Sequence, residues 1–273
     1  MSADTVTSQL LKGRKNPRAV YSGPYIAALT TCWRRNGAGT CSAAGRSAVC
    51  GCGVPSHPPN TNRVVNGEEA RPYSWPWQIS LESFFPTCGG TLIAPNWVMT
   101  AAHCITFHTY NVVLAEHDMN KVEGPEQTIR VEKMILHPKW NKNCPSCGND
   151  IALLKLQTSA VLNDKVQLAC LPKQDSALPH NSPCYVTGWG RLYCESTSSF
   201  EPACTAAILF LFSKRYRQCH ATKLQQVLLP VVEHSVCSRS DWWGSSAKTT
   251  MVCAGGDSKS ACHVSNKISL IYH

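Results

Sequence analysis

A chain of 273 residues with 43% hydrophobic content is long enough for one large domain, or two small ones, around a sizeable core. Its sixteen cysteines exclude an ordinary cytosolic enzyme and point to an oxidising compartment and a disulfide-stapled fold. The formal net charge of +9 does not mark a nucleic-acid binder: residues 1–48 hold seven Lys and Arg against one acidic residue, and the rest of the chain is near neutral.

In chain order, residues 1–48 form an unassigned basic segment without an apolar stretch of secretory length, so no signal peptide is visible. From about Cys52 the texture changes. Short runs rich in Val, Ile, Thr, Trp and Leu alternate with Pro, Gly, Asn and Asp: "WPWQISLE", "TLIAPNWVMTAA", "NVVLAE", "QTIRVEKMIL", "DIALLKL", "VQLACL", "PCYVTGWG", "KLQQVLLPVV" and "TTMVCAGG". Many short strands at regular spacing predict an all-β barrel or sandwich. "QQVLLPVV" has a helical competitor, but Pro230 and its β-branched neighbours argue for a strand. Two segments break the pattern, an insert at 193–222 and the tail from His263. The longest aliphatic-aromatic run, "AAILFLF", is too short to span a membrane.

Two short stretches carry chemistry. "TAAHC" sets His103 beside Cys104 at the end of a strand-like run, and "GNDIALLKL" sets Asp150 at the entry of an apolar strand. A carboxylate there is partly buried and needs a hydrogen-bond partner to offset desolvation. A histidine whose Nδ1–H serves it is held in one tautomer, with Nε2 available as a general base. Cys144-Pro-Ser-Cys147 is a single C-x-x-C without a second pair at zinc spacing. A closed zinc site needs four ligands, so stapling is the better reading.

These stretches, with "CGVPSHPPNTNRVVNGEEARPYSWPWQISL", "CGGTLIAPNWVMTAAHC", "CGNDIALLKL", "PCYVTGWGRL" and "CSRSDWWGSSAKTTMVCAGG", closely resemble the chymotrypsin-like serine proteases. Within them they resemble the pancreatic elastases of the type 3, proproteinase E-like group, over roughly 52–192 and 223–262. The resemblance implies a trypsin-like double Greek-key β-barrel, here with an incomplete second barrel. It implies an activation propeptide at 49–63, cleaved after Arg63 to expose Val64, and a protease domain at 64–262 interrupted by the insert, with a non-homologous tail at 263–273. His103 matches the catalytic base and Asp150 its orienting carboxylate. The disulfides implied are Cys88–Cys104, Cys52–Cys170, Cys144–Cys147 and Cys237–Cys253.

The resemblance also marks what is missing. In the family the nucleophile follows the cysteine that matches Cys262, inside G-D-S-G-G-P, and this sequence continues with "HVSNKISLIYH". Ser258 of Gly256-Asp257-Ser258 precedes Cys262 and is followed by Lys259. A nucleophile loop needs glycine to turn its N–H groups onto an oxyanion, so Ser258 reads as a decoy. Cys184 and Cys262 are left without their family partners, and with Cys32, Cys41, Cys50, Cys194, Cys204 and Cys219 have no assigned mate.

Glu116, Glu123 and Glu126 match a calcium-binding loop of trypsins and some elastases, and hard carboxylate oxygens suit Ca²⁺. Lys121 within the loop and Ala115, where glycine is usual, depart from that pattern. The function implied is elastase-like serine endopeptidase, catalytically inactive as written. The alternatives are a non-catalytic protease-like binding protein or an incomplete isoform without a stable function, so the residues leave enzyme status open. No cofactor is required; the three glutamates read equally as a structural calcium site or as solvated surface acids. The partners implied are a protein or peptide substrate and an activating trypsin-like protease, with no nucleic acid and no membrane. The location implied is extracellular. A preference for small aliphatic residues rests on the subgroup alone.

Overall fold

The structure, a computed structural model, describes residues 52–57, 67–172, 178–190 and 221–255, and the backbone of four short strands outside them. The strands in chain order are β1 (Thr30–Cys32), β2 (Cys41–Ala43), β3 (Arg46–Ala48), β4 (Glu68–Glu69), β5 (Gln78–Glu82), β6 (Pro86–Ala94) and β7 (Trp97–Thr100). They continue as β8 (Asn111–Leu114), β9 (Gln127–Leu136), β10 (Ala152–Leu156), β11 (Pro183–Gly188), β12 (Gln225–Val232), β13 (Cys253–Ala254) and β14 (Ile268–Leu270). Among the described residues helix is confined to α1 (His234–Cys237) and a few single 3-10 turns. No helix among the described residues is long and apolar enough to cross a membrane.

Six strands close into an antiparallel barrel in the order β10-β7-β6-β5-β8-β9. Closure leaves no free edge, and the inward side chains fill the interior. Ile79 and Leu81 of β5, Leu92 of β6, Val112 and Leu114 of β8, and Leu154 and Leu156 of β10 are fully buried there. The alternation in β10 is the period-2 signal of "ALLKL" made visible, with Lys155 turned out to pair with Glu132 at 2.8 Å. Gly90 of β6 lets the wall close: a Cβ there would stand 2.9 Å from Ile79 Cδ1 and 3.0 Å from the Met99 carbonyl oxygen.

The second sheet runs β1-β11-β12-β13, with β14 also on β11 and β4 on β12. Among the described residues it does not close. Buried hydrogen bonds clamp it to the barrel. Thr187 Oγ1 donates to Gln78 Oε1 at 2.7 Å, Trp75 Nε1 to Gln226 Oε1 at 2.9 Å, and Trp189 Nε1 to the His117 carbonyl at 2.9 Å. The aromatic side chains put their area into the interface, and each polar tip finds an acceptor there.

The predicted runs differ from the observed strands in a few places. "TLIAPNWVMTAA" breaks at Pro95-Asn96 into β6 and β7, because proline has no N–H to continue the ladder. Trp75 and Trp77 lie in turns ahead of β5, buried but not in the strand. "VQLACL" forms no strand. Its amides bond singly to scattered partners, Gln167 to the Pro76 carbonyl and Ala169 to that of Leu92. β1, β2, β3, β4 and β14 were not predicted.

Candidate active site

Strand register brings the two chemically marked residues together. β10 pairs with β7 so that Ala152 faces Thr100. The residue three beyond Thr100 and the residue two before Ala152 therefore emerge at the same corner of the barrel. His103 sits in the 3-10 turn Ala102–Cys104. Asp150 follows two left-handed residues, Gly148 at φ 84° and Asn149 at φ 60°, which swing the chain into its buried position.

Asp150 receives both donors that His103 offers it. The His103 backbone N–H donates to Oδ1 at 2.8 Å, and Nδ1 lies 2.6 Å from Oδ2. A carboxylate only accepts, so Nδ1 carries the proton, while Nε2 lies 3.6 Å from the Cys104 Sγ. The Asp150 side chain is wholly buried and that of His103 nearly so. The carboxylate thus fixes the tautomer and offsets positive charge that develops when Nε2 takes a proton.

The turn is braced from two further sides. The Cys88–Cys104 disulfide, with Cα atoms 6.1 Å apart, ties it to β6. Cys88 and Cys104 cluster with His103, but their sulfurs are bonded to each other and are not metal ligands. Tyr110, buried just ahead of β8, accepts from the amides of Thr106 and Phe107 at 2.8 and 2.9 Å and donates to the Cys104 carbonyl at 2.7 Å. Sequence reasoning missed Tyr110. The only signal was a tyrosine in the polar loop "FHTYN", and nothing local says that its hydroxyl turns back on the backbone that follows the histidine.

The other disulfides with both cysteines among the described residues are Cys52–Cys170, Cys144–Cys147 and Cys237–Cys253. Cys184, to which the sequence assigned no mate, is also disulfide-bonded. Arg63, Val64, Ser258, Cys262 and most of the 193–222 insert lie outside the described residues.

At the far end of β8 the carboxylates of Glu116, Glu123 and Glu126 converge, one oxygen of each lying within 4.8 Å of the others. Glu126 is satisfied: burial opposes its charge, but N–H donors from Glu123, Glu126 and Gly124 outweigh it and hold the carboxyl below the usual range. Glu116 is not. Burial first, then the charges of Glu126, Glu82 and Glu123, push its carboxyl up to about 7 against one backbone donor. Its Oε1 is buried without a hydrogen-bond partner. An orphaned buried oxygen beside two further carboxylates fits a hard cation. Ala115, immediately before it, is held at φ 55°, a left-handed conformation that disfavours a Cβ.

The Trypsin family model matches residues 64–206. The chain belongs to the trypsin family of serine proteases. It is 52% identical over 225 residues to chymotrypsin-like elastase family member 3B of Homo sapiens, covering 80% of this chain and 75% of that one. It is 52% identical over 211 residues to proproteinase E of Bos taurus, covering 74% and 75%, and 47% identical over 212 residues to chymotrypsin-like elastase family member 1 of Rattus norvegicus, covering 75% and 71%. The elastase-like resemblance and the all-β trypsin-like fold read from the sequence are those of its family, which acts on protein substrates and needs no cofactor.

Proposed function

We propose that this corner of the barrel is the acid–base half of an elastase-type serine endopeptidase, and that the 273 residues by themselves do not complete it. The observation that carries the reading is the buried Asp150 carboxylate joined to both donors of His103. In this reading Nε2 of His103 accepts the hydroxyl proton of a nucleophilic serine as that oxygen attacks a peptide carbonyl. It then returns the proton to the departing amine. Asp150 stays ionised and holds the ring.

The nucleophile is not supplied by a G-D-S-G-G-P run, which the sequence does not contain, and Ser258 is not its replacement. Without the serine and its oxyanion donors the chain is inactive, since loss of a nucleophile alone costs about 10⁶ in kcat. The rest of the reading follows the family. Residues 49–63 are an activation segment, cleaved after Arg63 by a trypsin-like protease to expose Val64, and residues 64–262 carry the protease fold with 193–222 as an insert. The bovine relative's name, proproteinase E, supports a pro-form. Sixteen cysteines support an extracellular site of action. Calcium held by Glu116, Glu123 and Glu126 supplies structural charge neutralisation at the end of β8.

The test is tryptic treatment of the 273-residue chain followed by a fluorophosphonate active-site probe. The expected result is a new N-terminus at Val64 and no labelled serine. Labelling of Ser258, or of any other serine, overturns the inactive reading; absence of cleavage at Arg63 overturns the zymogen reading.

A further inference from the structure

The turn that delivers Asp150 is closed by a very short disulfide loop. Cys144 and Cys147 are 3 residues apart in sequence, against 16 for Cys88–Cys104 and for Cys237–Cys253 and 118 for Cys52–Cys170. Cys147 is exposed and Cys144 half-buried, whereas Cys88, Cys104, Cys237 and Cys253 are buried. Thiol–disulfide exchange requires an attacking thiolate to reach a sulfur, so an exposed bond reacts before a buried one. A bond across so short a loop constrains the unfolded chain least, so the barrel keeps its fold when this one opens.

The bond stands next to the acid–base pair. Only Gly148 and Asn149 separate Cys147 from Asp150, and both are held left-handed, at φ 84° and 60°. For asparagine this is a sparsely populated conformation that persists only where its surroundings enforce it. On one side the turn is packed tightly at Gly148, where a Cβ would lie 3.2 Å from Thr250 Oγ1 and 3.3 Å from Met251 Cε. On the other side it is closed by the disulfide and by two backbone bonds. The Cys147 N–H donates to the Cys144 carbonyl at 2.9 Å, and the Gly148 N–H to the Pro145 carbonyl at 3.3 Å. Asp150, at the end of this turn, takes both donors of His103.

We infer that Cys144–Cys147 is a thiol–disulfide exchange site for a dithiol reductant, and that its redox state sets how firmly Asp150 holds His103. The inference rests on the acid–base reading of that pair. A thiolate of the reductant attacks the exposed Sγ of Cys147, and Cys144 Sγ leaves as a thiolate that takes up a proton. The reductant's second thiolate then attacks its own sulfur in the mixed disulfide. The reductant's S–S bond forms as Cys147 Sγ leaves and is protonated. The protein gains two electrons and two protons, which the dithiol loses. With the bond open, Asn149 relaxes out of the left-handed region and the Asp150 carboxylate draws away from His103.

Graded dithiothreitol treatment of the 273-residue chain, followed by alkylation and tryptic digestion, tests the site. Residues 143–155 form one tryptic peptide whose cysteines are Cys144 and Cys147. It should be doubly alkylated at a dithiol concentration about tenfold or more below that which alkylates Cys88, Cys104, Cys237 or Cys253. In the same partly reduced sample the His103 amide, which donates to Asp150 Oδ1, should exchange its hydrogen about tenfold faster or more. The imidazole nitrogen shifts of His103 should move toward an average of two tautomers. The C144S/C147S variant should show both changes without reductant, which separates this bond from Cys52–Cys170. Opening only together with the buried pairs overturns the exchange site. Unchanged His103 exchange and shifts, in the opened chain and in the variant, overturn the coupling. Neither readout uses catalysis: failure here leaves the acid–base pair standing, and a serine labelled by the fluorophosphonate probe leaves the exchange site standing.

Discussion

The backbone N–H and the Nδ1 of His103 end on the two oxygens of a single carboxylate, that of Asp150, at 2.8 and 2.6 Å. Substituting Asp150 by Asn keeps the shape and one acceptor, but turns an N–H₂ group toward one of those donors. The ring is then expected to shift its proton from Nδ1 to Nε2. Nitrogen chemical shifts of the imidazole report the tautomer directly, and unchanged shifts would contradict the geometry. The lost charge-assisted bond should lower stability by about 1.5–3 kcal/mol in denaturant unfolding.

Tyr110 is expected to matter as much to the His103 turn as the disulfide does. Tyr110→Phe removes one hydroxyl that serves three backbone groups. Leaving buried polar groups unsatisfied costs about 1–3 kcal/mol. The change should appear as a lower denaturation midpoint with an unchanged m-value. Loss of less than half a kcal/mol would show that water replaces the hydroxyl.

Gly90→Ala tests the close packing of β5 on β6. The added methyl meets Ile79 Cδ1 at 2.9 Å and the Met99 backbone oxygen at 3.0 Å. The Ile79 side chain can turn; the backbone of β7 cannot without opening the barrel. Overpacking of this kind costs about 1–3 kcal/mol, and thermal unfolding measures it. Pairing it with Ile79→Val should recover part of the loss.

Calcium should raise the melting temperature and EGTA should reverse the effect. With a dissociation constant of about 0.1 mM, in the range of extracellular modules, 10 mM Ca²⁺ contributes about 2.7 kcal/mol. In a domain of this size that is a rise of roughly 5–10 °C. Glu116→Gln should abolish the rise while relieving the unpartnered acid in the calcium-free chain. Ala115→Gly should stabilise both forms by about 1 kcal/mol, because the alanine is held at φ 55°. A calcium response equal in the parent chain and Glu116→Gln would remove the ion from this loop.

After cleavage at Arg63 the segment before it should stay attached. Cys52 and Cys170, 118 residues apart in sequence, lie on opposite sides of the cut and are bonded. The peptide ending at Arg63 is expected to co-migrate with the body on a non-reducing gel and to separate on reduction. Early release without reductant would mean that this bond is absent in solution.

By itself the sequence determined the all-β class, most strands and the two chemically marked residues, His103 and Asp150, that the fold brings together. It could do so because those features are local: period-2 patterning in "ALLKL", turn residues between runs, and the immediate setting of His103 and Asp150. It misplaced "VQLACL", whose residues look like a strand but whose amides bond singly to scattered groups, the Pro76 carbonyl in a turn and the Leu92 carbonyl in β6. It did not find Tyr110, whose role depends on a hydroxyl reaching back across a turn. It assigned no mate to Cys184, which is buried and disulfide-bonded, because a cysteine's partner depends on tertiary placement and not on spacing. The tertiary structure alone decided that Thr100 faces Ala152, which turns two separate motifs 47 residues apart into one site. The reason is physical: a one-residue slip in that pairing would turn Leu154 and Leu156 out of the barrel. The buried core fixes the register, and the register fixes the chemistry.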